Sequence, residues 1–192
     1  MAEKTEKKSG NQIVKLALVL LAVAAIMAFV LGIVNEITKD RIAEIAAEKT
    51  ATAYANVLEA PTYDEATDFT NDENQTITKL SVAKNDAGET TGYVAETTFS
   101  GAQGMITMVV GLDDTYTCTG VYITAHSETS GLGAKAAETT AGAWRDNVVG
   151  ATEGTALAKD GGTIEAISGA TITSRAVVNE VQSVIAAAKS LG

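Results

Sequence analysis

The chain has 192 residues, a net charge of −10, one cysteine and one histidine. A single thiol excludes an internal disulfide and any multi-cysteine metal or iron–sulfur site in this chain, and one imidazole excludes a multi-histidine cluster. Residues 1–15 carry +2, so the remainder carries −12, a field that repels polyphosphate and excludes nucleic acid as a partner.

Met1 to Gln12 is polar and Lys-rich and reads as a mobile tail. Leu16 to Val34 is an uncharged run of nineteen residues, apolar but for Gly32. At about 1.5 Å per helical residue it covers roughly 28 Å, the hydrocarbon thickness of a bilayer. A secretory signal has a core of only about 7–15 residues, so the run reads as an uncleaved transmembrane helix over 14–34. Lys4, Lys7, Lys8 and Lys15 precede it, and Lys39, Arg41 and Lys49 follow. The positive-inside rule then puts the tail, 1–13, in the cytoplasm and the C-terminal part outside the cell membrane. Helical spacing continues from Asn35 to Leu58, with Ile37, Ile42, Ile45 and Ala46 on one side. The expected organisation is a helical connector over 35–60, ended by Pro61, then a domain over 61–192.

Residues 62–90 are dominated by Asp, Glu, Thr and Asn, with one β-like stretch from Ile77 to Val82. Thr91 to Phe99, Met105 to Leu112 and Thr117 to Thr124 are rich in Val, Ile, Tyr and Thr and predict an antiparallel meander. The acid pairs Asp72-Glu73 and Asp113-Asp114 read as turn residues rather than catalytic carboxylates. Cys118 reads as a small strand residue and Trp144 as core, in a short helix or turn over Thr139 to Val149. A glycine-containing loop, Gly150 to Gly162, leads to a strand (Thr163 to Ile167), a small-residue turn and a helix (Ser174 to Ala188). The fold class is α+β, an N-terminal membrane helix followed by an antiparallel sheet with flanking helices.

The turn Ser168-Gly169-Ala170-Thr171-Ile172-Thr173-Ser174 carries the chemistry. Gly169 permits φ > 0 or close backbone approach, Ala170 leaves room, and Ser168 and Thr171 offer hydroxyls. Thr173 or Ser174 is the expected cap of the following helix. Such a turn serves equally as a helix cap or as a phosphate cradle at a helix N-terminus.

The stretch Glu165-Ala166-Ile167-Ser168-Gly169-Ala170-Thr171 resembles the covalent-flavin motif of the FMN-binding domain family, Asp-x-x-Ser/Thr-Gly-Ala-Thr/Ser, with Glu165 in the Asp position. The resemblance implies FMN joined through its phosphate, as an ester, to Thr171 by a flavin transferase, with Thr173 a secondary candidate. His126-Ser127-Glu128-Thr129-Ser130-Gly131-Leu132-Gly133-Ala134-Lys135 is similar to the same family's His-x-Glu-Thr-Pro-Gly-Leu-Gly loop, with Ser130 in place of proline. It implies that His126, Glu128, Thr129, Gly131, Leu132, Gly133 and Lys135 line the flavin. Leu132 would cover a ring face, and Lys135 or a backbone N–H would stabilise a reduced flavin.

Ile33-Val34-Asn35-Glu36-Ile37-Thr38-Lys39-Asp40-Arg41-Ile42 is similar to the membrane exit of the G subunits of Rnf complexes, ion-translocating ferredoxin:NAD oxidoreductases. That resemblance implies an electron-carrying subunit working with other membrane and redox subunits, with no substrate-level catalytic residue of its own. The short connection to the domain favours this family over the related C subunits of sodium-pumping NADH:quinone oxidoreductases. Two further readings are a stand-alone membrane-anchored flavoprotein reductase and a non-redox binding domain. Neither a Walker loop nor a dinucleotide fingerprint occurs, so NAD is not expected on this chain.

Overall fold

The structure, a computed structural model, describes residues 3–71 and 75–191. Two compact units make up the chain, residues 1–47 and 48–192. A long helix, α1 (Glu3–Val57), supplies all of the first unit that is described, and its last turns belong to the second. Helix therefore replaces the expected mobile tail from Glu3 onward. Lys, Glu and Gln are good helix formers and an adjoining apolar run propagates the helix through them. Met1 and Ala2 lie outside the described residues. Among the described residues α1 is the one helix long and apolar enough to cross a membrane. Its apolar side chains, Leu20 and Phe29 among them, are exposed.

In the second unit five strands form an antiparallel meander in sequential order, β1 (Thr62–Ala66), β2 (Ile77–Lys84), β3 (Thr90–Ser100), β4 (Met105–Asp113) and β5 (Cys118–His126). The α+β class is as expected. β1 has no counterpart among the expected strands. Its residues are mostly exposed and show no apolar alternation, and it holds by backbone pairing with β2 and by the 2.7 Å ion pair of Asp64 with Lys84. Asp113 behaves as a turn residue: its carboxylate accepts from the Thr115 and Thr117 N–H groups at 2.9 and 2.8 Å. Asp72 and Glu73 lie outside the described residues.

A C-terminal helix, α2 (Thr171–Lys189), covers one sheet face with Val177, Val178, Val181, Val184 and Ile185, all essentially buried. Against it stand Leu80, Met108, Val110 and Leu112. The end of α1 covers the other face: Ala53, Tyr54 and Val57 pack on Val94 and Val109. Covered on both sides, β4 reads as a near-continuous apolar run rather than clean alternation, and β3 does so over Tyr93 to Ala95.

Two corrections concern the C-terminal segment. No strand forms over Thr163 to Ile167; a single parallel bridge, Leu157 to Ile164, is all that remains. Ile164 and Ile167 are buried in the core, and the Ile164 N–H and C=O pair with Ala156 and Ala158 instead of with the sheet. Burial of the two isoleucines needs no ladder once those groups are satisfied. The helix also begins at Thr171, three residues before the expected Ser174, because Ser174 N–H already bonds Ala170 C=O at 3.0 Å.

Gly111 and Gly120, paired across β4 and β5, let the end of α1 approach. A Cβ on Gly111 would lie 2.7 Å from the Val57 carbonyl oxygen, and one on Gly120 would lie 3.3 Å from Val57 Cα. The same carbonyl accepts the Thr119 hydroxyl at 2.5 Å, which satisfies one orphan group of the helix terminus. Gly111→Ala is therefore expected to destabilise the second unit by about 1–3 kcal/mol through overpacking, read as a lowered unfolding midpoint in denaturant.

Candidate functional site

The motif turn is built from main-chain constraints. Trp144 Nε1 donates to the Glu165 carbonyl at 2.6 Å and fixes the approach to the turn. Ser174 Oγ accepts from Ile167 N–H and donates to Ala170 C=O, both at 3.0 Å, closing the turn from below. Gly169 sits at φ +77°, and a Cβ there would meet Leu132 Cδ2 at 3.1 Å, so both backbone conformation and space call for glycine. That contact brings the Gly-Leu-Gly loop against the motif turn.

α2 starts from Ala170 with no side-chain cap, contrary to the expectation that Thr173 or Ser174 would serve. Both hydroxyls are buried inside the first turn and committed elsewhere. The first N–H groups, of Thr171, Ile172 and Thr173, precede the first intrahelical bond at the positive end of the helix dipole, the last of them in a fully buried residue. Thr171 is half-buried beside them, and its Oγ1 lies 3.4 Å from Lys159 Nζ. Ser168 and Gly169 are exposed, Ala170 is buried, and Ile172 and Leu132 expose apolar side chains at 63% and 42%. The Lys159 ammonium and the exposed apolar side chains of Ile172 and Leu132 are of a chemistry that fits a phosphate with an apolar ring beside it.

Thr173 is different. It is fully buried and donates to Glu128 Oε2 at 2.6 Å. The same carboxylate accepts the Gln103 N–H at 3.0 Å, and Glu128 N–H bonds His126 Nδ1 at 3.3 Å. Gly101 and Gly133 flank this carboxylate so closely that a Cβ on either would overlap it. Burial pushes the Glu128 carboxyl up, but the hydrogen bonds from Thr173, Gln103 and Ala102 and the charge of His126 outweigh it and hold the group below its usual range. Glu128 and Gly133 thus face the interior, where they tie the loop to α2, and the close approach that Gly133 permits is to Glu128. His126, Thr129, Gly131 and Lys135 are exposed, as is Glu165.

Three residues at the turn escaped sequence reasoning. Lys159 and Asp160 sit in a 3-10 helix, Ala158–Asp160, inside the expected loop. Both Asp160 carboxylate oxygens bind the Arg175 guanidinium, at 2.7 and 2.8 Å. The one available signal was the spacing of Arg175, a helical turn beyond Thr171. A separate cavity of about 530 Å³ lies between the β3–β4 end and the middle of α2, lined by Phe99, Met105, Ala176 and Glu180 among others. No motif residue lines it.

Glu128→Gln is expected to cost about 1–3 kcal/mol, because an amide cannot accept from all the donors that converge there. The folded carboxyl titrates below its unfolded value of about 4.3, so its stabilisation is complete above that pH and is lost as pH falls through the folded value. Chemical unfolding at pH 7 and at pH 3 checks this: the variant's deficit shrinks in acid. Gly169→Ala is expected to lose about 1–2 kcal/mol to left-handed strain, read by thermal unfolding.

The FMN-binding domain family matches residues 101–186, and the RnfG N-terminal region matches residues 1–57. The G subunit of an ion-translocating oxidoreductase complex from Methanosarcina acetivorans is 32% identical over 179 residues, 92% of this chain and 94% of that protein. The protein of the same description from Photorhabdus laumondii is 33% identical over 83% of this chain and 82% of its own length. The G subunit of the Na(+)-translocating ferredoxin:NAD(+) oxidoreductase complex of Acetobacterium woodii is 30% identical over 87% of each chain. With relatives matched nearly end to end and both halves falling in matching families, the chain belongs to the G-subunit family of Rnf-type ion-translocating oxidoreductase complexes.

Proposed function

We propose that this chain is the membrane-anchored electron-transfer flavoprotein subunit of an Rnf-type complex, carrying FMN as a phosphate ester on Thr171. FMN, when bound, supplies one- and two-electron redox chemistry; the chain's own residues hold and orient it. The observation that carries the reading is the contrast between two threonines in one helical turn. Thr171 is a half-buried residue at the first position of α2, whereas Thr173 is fully buried and bonded to Glu128.

The residues divide the work. The first N–H groups of α2 and its dipole favour a phosphate anion. Gly169 keeps the turn open, and Leu132 and Ile172 offer apolar cover to a ring. Glu128 and Gly133 support the site from inside, and Thr129, Gly131 and Lys135 belong to its rim. A covalent tether keeps the cofactor on a domain that faces away from the cytoplasm, where a weakly held flavin would be diluted. The Lys balance around α1 supports that orientation, with the N-terminus inside. The partners are the remaining membrane and redox subunits and, for maturation, a flavin transferase.

Co-production of the full chain with its flavin transferase tests the reading. Intact mass is expected to rise by one esterified FMN, and fragmentation of the tryptic peptide that ends at Arg175 is expected to locate it on Thr171. Thr171→Ala is expected to abolish the flavin fluorescence that survives denaturation. An unmodified wild-type chain, or flavin on Thr173, overturns the proposal.

A further inference from the structure

We infer that Lys159 is the counter-charge that selects and activates Thr171 for flavin attachment, an inference that rests on the proposed ester at that residue. Its ammonium lies 3.4 Å from Thr171 Oγ1, the oxygen that would become the ester oxygen. The lysine side chain is exposed, but its backbone is held on three sides. Leu157, immediately before the 3-10 helix, is buried in the core, and its carbonyl accepts the Asp160 and Gly162 N–H groups at 2.8 and 2.9 Å. Ala158 N–H bonds Ile164 C=O at 2.8 Å. Asp160 then clamps the helix to α2 through its paired bonds to Arg175.

That clamp also decides which cation faces the threonine. The guanidinium of Arg175, one turn beyond Thr171, is occupied by Asp160. Asp160 directs both oxygens to that guanidinium, and no carboxylate lies within ion-pair distance of Lys159 Nζ among the described residues. In a domain as acidic as this one, an ammonium beside a hydroxyl, whose nearby carboxylate Asp160 directs its hydrogen bonds to Arg175, marks a place for an anion.

The chemistry has a matching demand. A phosphate monoester does not condense with a hydroxyl in water unless the phosphate is activated, so the donor must be a flavin nucleotide with a phosphoanhydride bond, a flavin dinucleotide. Thr171 Oγ forms a bond to the flavin-side phosphorus, and the bond from that phosphorus to the bridging oxygen breaks. AMP departs with the electron pair, and the hydroxyl proton passes to a base of the transferase or solvent. Negative charge on the non-bridging oxygens remains in the diester, two bonds from Oγ1 through the phosphorus, within reach of Lys159. A compact, flexible ammonium suits such a point contact.

Steady-state flavin attachment to the full chain, with transferase and FAD, tests this on wild type, Lys159→Arg, Lys159→Gln and Lys159→Glu. Lys159→Arg is expected to stay within about twofold of wild type, and Lys159→Gln to fall about tenfold in rate at saturating chain concentration, as for loss of one charge-assisted hydrogen bond. Lys159→Glu is expected to fall further, with thermal unfolding midpoints unchanged because the side chain is exposed. Wild-type rates in the Gln and Glu variants overturn the inference. A change confined to the half-saturating chain concentration assigns Lys159 to transferase docking and also overturns it. Failure of wild type itself to take up flavin overturns the underlying ester, which separates the two claims.

Discussion

Much of the structure around the motif turn depends on a buried carboxylate. Glu128 reaches the Thr173 hydroxyl, the Gln103 N–H and, through its own N–H, His126, and so joins the β3–β4 hairpin, the loop after β5 and the first turn of α2. A carboxylate is costly to bury unless its lone pairs are met by donors, and here the donors come from separate segments. Their positions are therefore coupled. The coupling has a steric side as well, since Gly101 and Gly133 leave the volume that the carboxylate occupies. Once Thr173 is pulled inward, helical geometry turns Thr171 and Ile172 outward, and the Thr171 hydroxyl is presented by a contact it does not itself make.

Behind that arrangement lies a sheet with both faces covered. α2 lays its valine-rich face on one side and the end of α1 seals the other, where paired glycines admit the helix terminus. The site thus sits at the N-terminal end of a helix whose remaining turns are anchored in the core. For an electron-transfer flavoprotein subunit, such rigidity fixes where the helix terminus stands relative to the sheet.

Charge is arranged with the same economy. The extramembrane part is strongly acidic, yet the motif turn gathers Lys159 and Arg175 around a helix N-terminus. Asp160 neutralises one of these cations and, in doing so, positions the other. The acidic surface and the local positive patch are separate properties of one sequence, and net charge alone describes only the first.

The sequence by itself determined the elements whose signal is local. Nineteen uncharged residues specify a bilayer-length helix, and β-branched runs broken by glycine specify the meander, because hydropathy and backbone preference act over a few residues. The small-residue motif and the Gly-Leu-Gly loop were legible as candidate site segments for the same reason. Only the tertiary structure decided what each residue does. β1 exists because β2 pairs with it, and Thr163 to Ile167 stays out of the sheet because its polar groups are met elsewhere. Thr171 and Thr173 are identical in type and two positions apart, yet one is presented and the other buried. That distinction comes from a carboxylate 45 residues away in sequence, and long-range contacts of this kind leave no trace in local pattern.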